Sequence, residues 1–185
     1  MLQIYRDSAQ GKIIRGIGLP AFIHNHNYYQ TIIGVFEDGT IDCWGLVDFA
    51  EFINKVTQGW VVTQVPKGAR ISCHHLYYGN SNLECSVEID EFVKEVEDTI
   101  NLLQGKQTTK QTCFQAFARF LTEPNKKNKN ILREAYNAIP KHCRRYVLGD
   151  MDSKDYPIKL CIEDEEISPE IIEEFKQRYI YDSEM

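Results

Sequence analysis

Long apolar runs are missing from this 185-residue sequence. No stretch approaches the roughly 20 apolar residues that span a bilayer, so a membrane helix is not expected. The opening MLQIYRDSAQGKIIRGIG alternates apolar and polar residues and has no signal-peptide core, which points to a cytoplasmic protein. Catalytic signatures are missing too: there is no G-x-S-x-G elbow, P-loop, H-E-x-x-H or dinucleotide fingerprint. Gly16-Ile-Gly18 is a lone G-x-G, expected to be a turn. Six cysteines occur, but Cys43, Cys73, Cys85, Cys113, Cys143 and Cys161 form no C-x-x-C pair and read as reduced, mostly buried thiols. Positive charge is in short supply, with 21 Lys and Arg against 27 Asp and Glu. The resulting net charge of −6 would be repelled by a polyphosphate backbone, so a general nucleic-acid binder is excluded.

What is present is enough for a core, since 43% of the residues are hydrophobic. Short β-type segments open the chain at residues 2–6 and 12–17. Asp38-Gly39 then sits between two β-rich runs, the pattern of a two-residue type I′ hairpin. That turn would place Phe36 opposite Ile41 and Gly34 opposite Cys43, with Ile32, Phe36, Ile41 and Cys43 on a core face. Asp48 and Glu51 start a helix carrying Phe49, Phe52, Ile53 and Val56, which Gly59 stops. Strands are expected at 60–65, 70–77 and 83–87, with a turn at 79–82. Helices follow after Asp90 and after Thr108, whose partner Gln111 suggests a capping box. NKKNKN at 125–130 reads as a basic connector before a helix from Ile131. Two strands, 145–148 and 158–162, would flank the loop GDMDSKDYP, and Ser168-Pro169 begins a last helix. The expectation is an α+β fold: an antiparallel sheet with one inserted helix in the N-terminal half, then helices and a short β-hairpin. A β-rich module at 1–105 and a mainly helical one at 106–185 would pack as one compact unit.

Candidate chemistry gathers in three places. In FIHNHNYY (22–29) an extended chain would turn His24 and His26 to one side, toward the face expected for Cys43. With His75, these residues form a possible zinc set of nitrogen and sulfur ligands. A turn at 25–27 would break that parity and leave a polar loop, which is the expected outcome, so no cofactor is assigned. Asp150 and Asp152 resemble an acid pair for Mg²⁺ or a calcium loop, but Lys154 stands where an EF-hand needs an oxygen ligand. Backbone-capping aspartates are the simpler reading. Cys143 beside His142 offers a nucleophile only in a cleft, and Arg144-Arg145 suggests a charged surface instead. Charge is segregated: Lys126, Lys127, Lys129, Arg133, Lys141, Arg144 and Arg145 crowd one window, while 84–98 and 163–174 are acidic. Complementary fields of this kind select partners. Asp150, Asp152, Asp155, Arg144 and Arg145 are therefore candidate partner-binding residues.

Four blocks, PAFIHNHNYY, VFEDGTIDCWGLVDFAEF, GWVVTQVPKGARISCHHL and AYNAIPKHCRRYVLGDMDSKDYPI, resemble an uncharacterised family of bacterial hypothetical proteins with two modules. The similar blocks lie within 20–76 and 135–158. The resemblance implies a bacterial, intracellular protein and carries no activity or catalytic residue. The leading expectation is a small binding protein that recognises a protein partner in an immunity- or antitoxin-like role. The alternative is a metal-dependent hydrolase built on His24, His26, Cys43 and His75, with Asp42 or Asp150 as base. A regulatory or adaptor domain is a third reading.

Overall fold

The computed structural model describes residues 2–73, 77–80, 87–148, 154–164 and 166–181. It is α+β, with a sheet in the N-terminal half and helices in the C-terminal half. The chain divides into two compact units, Met1–Lys106 and Gln107–Met185.

The first unit is built on a sheet of β1 (Leu2–Asp7), β2 (Ile13–Asn25), β3 (Asn27–Phe36), β4 (Ile41–Asp42), β5 (Leu46–Val47), β6 (Val61–Val62), β7 (Arg70–Cys73) and β8 (Tyr77–Asn80). Strands β1 to β5 pair in chain order, β6 joins β2, and β7 joins both β3 and β8. All pairings are antiparallel except β3 with β7. Helix α1 (Phe49–Thr57) is the inserted helix, started by Asp48, whose side chain accepts from the Glu51 amide. Helix α2 (Ile89–Leu103) begins one residue before the expected cap Asp90, with Glu88 as N-cap and Asp90 and Glu91 in its first turn. Those carboxylates still favour the positive end of the helix dipole. One sheet face buries Ile17, Leu19, Ala21, Ile23, Ile33 and Val35 in a core cluster with Phe52 of α1 and Phe92 and Val96 of α2.

Two local expectations fail here, and a proline in the same sheet needs its own pairing account. Gly16 and Gly18 lie inside β2, not in a turn. A Cβ on Gly16 would come within 2.6 Å of the Phe36 ring and 2.7 Å of the Val35 carbonyl oxygen, so glycine is present because its neighbours already fill the space. Pro20 is tolerated in the same strand because β1 pairs residues 13–18 of β2 and β6 pairs 22–23. The proline falls in the gap between them, where no second ladder demands its missing N–H. Finally, Gly79 and Asn80 belong to β8, opposite Ile71 and Arg70, not to a turn; most of the expected strand at 83–87 lies outside the described residues. Gly16→Ala is expected to cost about 1–3 kcal/mol through overpacking. A fall in the urea midpoint at constant m-value would show it, and an unchanged midpoint would refute the steric account.

The register at Asp38-Gly39 also differs by one residue. Val35 pairs with Ile41 and Gly34 with Asp42. The Phe36 amide donates to the Thr40 carbonyl and the Gly39 amide to the Phe36 carbonyl, both at 2.9 Å, and Gly39 has φ +83°. The loop therefore holds three residues, with glycine in the left-handed position that such loops favour. Because side chains alternate, the shift exchanges faces. Ile33 and Val35 enter the core, whereas Ile32 is 43% exposed.

The second unit contains α3 (Thr109–Thr122), α4 (Lys126–Ala138), α5 (Lys141–Arg144), α6 (Tyr156–Glu163) and α7 (Pro169–Lys176), followed by a π-helical turn at Gln177–Tyr181. The Thr108–Gln111 capping box forms, and Ser168 caps α7. The basic stretch expected as a connector is the start of α4: Asn125 accepts from the Asn128 amide at 2.9 Å and caps it. The expected C-terminal hairpin is absent among the described residues, because 145–148 form turns and 158–162 lie within α6. Ile158 and Cys161, three residues apart, share one buried helical stripe, and so short an apolar run fits either period. The core joins Phe117, Leu121, Leu132, Ile139, Ile158 and Phe175. Burial pushes the Cys113 and Cys161 thiols up to about 12, which keeps them protonated and inert.

Candidate functional site

FIHNHNYY is the tip of the β2–β3 hairpin. Asn25 pairs with Asn27, His24 pairs with Tyr28, and His26 turns the chain alone at φ 58°. Histidine is one of the few non-glycine residues that visit this region readily. The chain is therefore not extended through 23–28, although His24 itself remains in β2. His24 stacks on its cross-strand partner Tyr28, with ring centroids 4.4 Å apart and planes 8° from parallel.

His24 lies on the sheet face of Tyr28 and Ile32, while Cys43 is 1% exposed in the core cluster on the other face, with Ile33 and Val35. Among the described residues, His24, His26 and Cys43 do not converge within 4.8 Å as a ligand group. The extended path behind the zinc set is thus replaced by a turn, and the one-residue register shift carries Cys43 to the opposite face. Burial raises the Cys43 thiol pKa, which further opposes a thiolate. Asp42, the candidate base, accepts from the Gly45 amide at 3.0 Å. His75 lies outside the described residues.

The residues that do converge are aromatic. The Asp42 carboxylate closes the tight turn by accepting the Gly45 N–H hydrogen bond just described, and within that turn Trp44 has φ 65° and Gly45 φ 145°. A tryptophan in left-handed backbone costs about 1–3 kcal/mol and persists only where its surroundings impose it. The Trp44 ring stands 5.1 Å from Tyr29 and 6.2 Å from Trp60, yet Trp44 is 49% exposed. Trp60 is fixed at both ends: its indole N–H donates to the Cys43 carbonyl at 3.1 Å, and its own carbonyl accepts from the His24 amide at 2.9 Å. The Lys55 ammonium lies 5.3 Å from the Trp60 ring centre, and Glu51, Asn54, Lys55, Gln58 and Trp60 line a shallow groove beside it. Sequence reasoning did not single out this cluster. The available signal was that both tryptophans of the chain fall near strand ends, one of them directly before a glycine.

The partner candidates of the second unit are dispersed. Asp150 and Asp152 lie outside the described residues. Asp155 is buried, accepting from the Tyr136 hydroxyl at 2.6 Å and paired with the Lys159 ammonium at 3.0 Å, so it is not the surface docking group expected. Arg144 donates to the Ile139 and Asn137 carbonyls at 2.9 and 2.7 Å and closes the end of α4, its cation 5.4 Å from the Tyr136 ring centre. Such C-terminal capping by a cation satisfies orphan carbonyls. Arg145 is exposed.

No curated protein and no solved structure matches the chain. The profile of a second family, a domain of unknown function (DUF7639), matches residues 108–181. The chain belongs to the family described as a domain of unknown function (DUF7638), whose profile matches residues 3–107.

Proposed function

We propose that this is a small binding protein that recognises a protein partner through the aromatic surface of its first unit, in an immunity- or antitoxin-like role in the bacterial cytoplasm. One observation carries the reading: Trp44, half-exposed, is held in left-handed backbone between Tyr29 and Trp60. Exposed tryptophan and tyrosine on a rigid support are the residues that dominate binding hot spots. Backbone strain retained at an exposed aromatic is what a binding site retains and a merely stable surface does not. The net charge of −6 adds a preference for a basic partner. No helix among the described residues is long and apolar enough to cross a membrane, which accords with the cytoplasmic part of the proposal.

Trp44→Gly separates recognition from folding. Glycine removes the left-handed strain, so thermal stability should hold, while loss of the indole should weaken the partner by about 2 kcal/mol, roughly 30-fold. The measurement is affinity capture from the native cell, with the dominant protein re-measured against both purified forms. A partner held equally well by Trp44→Gly, or no dominant partner at all, would sink this reading.

A further inference from the structure

The second unit contains a cleft of about 580 Å³ between the start of α4 and the segment entering α7. One wall is basic. Lys126, Lys129 and Arg133 line it, and their spacing of three and four residues places them along one stripe of α4. The rest of the lining includes the apolar Phe120, Pro124, Ile167 and Ile172, with the acid Glu166 beside Ile167. A basic helical stripe together with apolar side chains suits a molecule with an anionic end and an apolar body.

Two further features sharpen the charge argument. The first turn of α4 has no acid and begins Lys126-Lys127, so cations sit where the helix dipole is already positive. That placement costs the helix stability unless an anion occupies the space. Two of the cations are also fixed in place. Lys129 donates to the Asp164 carbonyl, and Arg133 donates to the Ile162 carbonyl at 2.9 Å and to Asn130 at 3.0 Å. Each of these groups has more N–H donors than those bonds use. Lys126 lies exposed at the mouth.

We propose that this cleft binds a small phosphate monoester carrying an apolar body. A phosphate ester brings close to two negative charges and three acceptor oxygens at neutral pH, which matches three cations better than a carboxylate does. The apolar side chains then prefer the ester to inorganic phosphate.

Calorimetric titration of the full chain with phenyl phosphate, inorganic phosphate and phenol tests this. Phenyl phosphate should bind saturably, at least tenfold more tightly than inorganic phosphate, and phenol should not bind. Lys126→Gln should weaken phenyl phosphate at least fivefold without lowering the melting temperature, because Lys126 is exposed and its charge opposes the α4 dipole. Arg133→Gln should weaken it further, and circular dichroism would report any loss of α6 capping separately. No saturable binding to the wild type overturns the proposal. So does equal affinity for phenyl phosphate and inorganic phosphate, or affinity unaffected by Lys126→Gln in a folded protein.

Discussion

Phe117→Ala should destabilise the second unit by about 3–5 kcal/mol, the cost of emptying a buried aromatic site. Phe117 is fully buried on α3, with Tyr179 and Phe175 ring centres 5.8 and 6.4 Å away. Its ring is the point where α3 meets both α7 and the turn that follows it, so removal deprives three elements of one shared contact. A small unit has a net stability of only about 5–15 kcal/mol, and the loss takes a large share of it. The measurement is a chemical denaturation curve followed by the far-ultraviolet signal of these helices. Phe117→Leu, which keeps most of the volume, should recover more than half of the deficit. A loss below about 1 kcal/mol for the alanine variant would show that the site collapses freely and that the core is not organised around this ring.

Asp155→Ala is expected to cost about 1–3 kcal/mol, because it leaves the buried Tyr136 hydroxyl without its acceptor, while the exposed Lys159 returns to water. Tyr136 is buried and its hydroxyl donates to Asp155 at 2.6 Å. Lys159 approaches the same carboxylate oxygen at 3.0 Å. Burial by itself would raise the Asp155 pKa, but the hydrogen bonds from Tyr136 and Lys159 outweigh it and hold the carboxyl below its ordinary 3.8. Burial, and then Asp155, push the Tyr136 hydroxyl well above its usual range, so it remains a donor. The pH dependence follows from the depressed carboxyl. Its contribution is fully present above about pH 4 and is lost as pH falls through the folded value. Wild-type stability should therefore drop below pH 4 more steeply than that of Asp155→Ala, and the two should approach each other in acid. Parallel pH profiles for the two proteins would remove Asp155 from the account of acid stability. Tyr136→Phe provides a check at neutral pH, since it deletes the donor while leaving the ion pair with Lys159 in place.

The chemistry of the FIHNHNYY stretch was decided by a single residue of geometry. Two histidines at alternate positions suggest a clamp only if the chain stays extended, and the tip at His26 ends that condition. The second requirement, Cys43 on the same face, depended on the length of the Asp38-Gly39 loop. Asp-Gly is compatible with both a two-residue and a three-residue loop, and the choice flips every side chain on the following strand. Nothing local makes that choice; it is made by which set of apolar side chains can pack against Phe52 and Phe92. The aromatic cluster was hidden for a related reason. Tyr29, Trp44 and Trp60 come from three separate segments, and only the β2–β3 hairpin, the Asp42–Gly45 turn and the bond from His24 to Trp60 bring them together.

What the sequence determined by itself was whatever rests on local chemistry: the α+β class, the inserted helix behind Asp48, the capping box at Thr108 and the helix start at Ser168. Each of these is written in a few adjacent residues, because a cap or an apolar stripe is satisfied within one or two turns. Tertiary structure alone decided the rest. It ran β2 through two glycines and a proline, because neighbouring side chains fill the glycine sites and no second strand needs the proline's N–H. It turned a basic, acid-free segment into the first turn of α4, because Asn125 caps it while Leu132 and Tyr136 are buried beneath it. It also folded 158–162 as helix, since the apolar run there fits either period and the helical core of the second unit selects one.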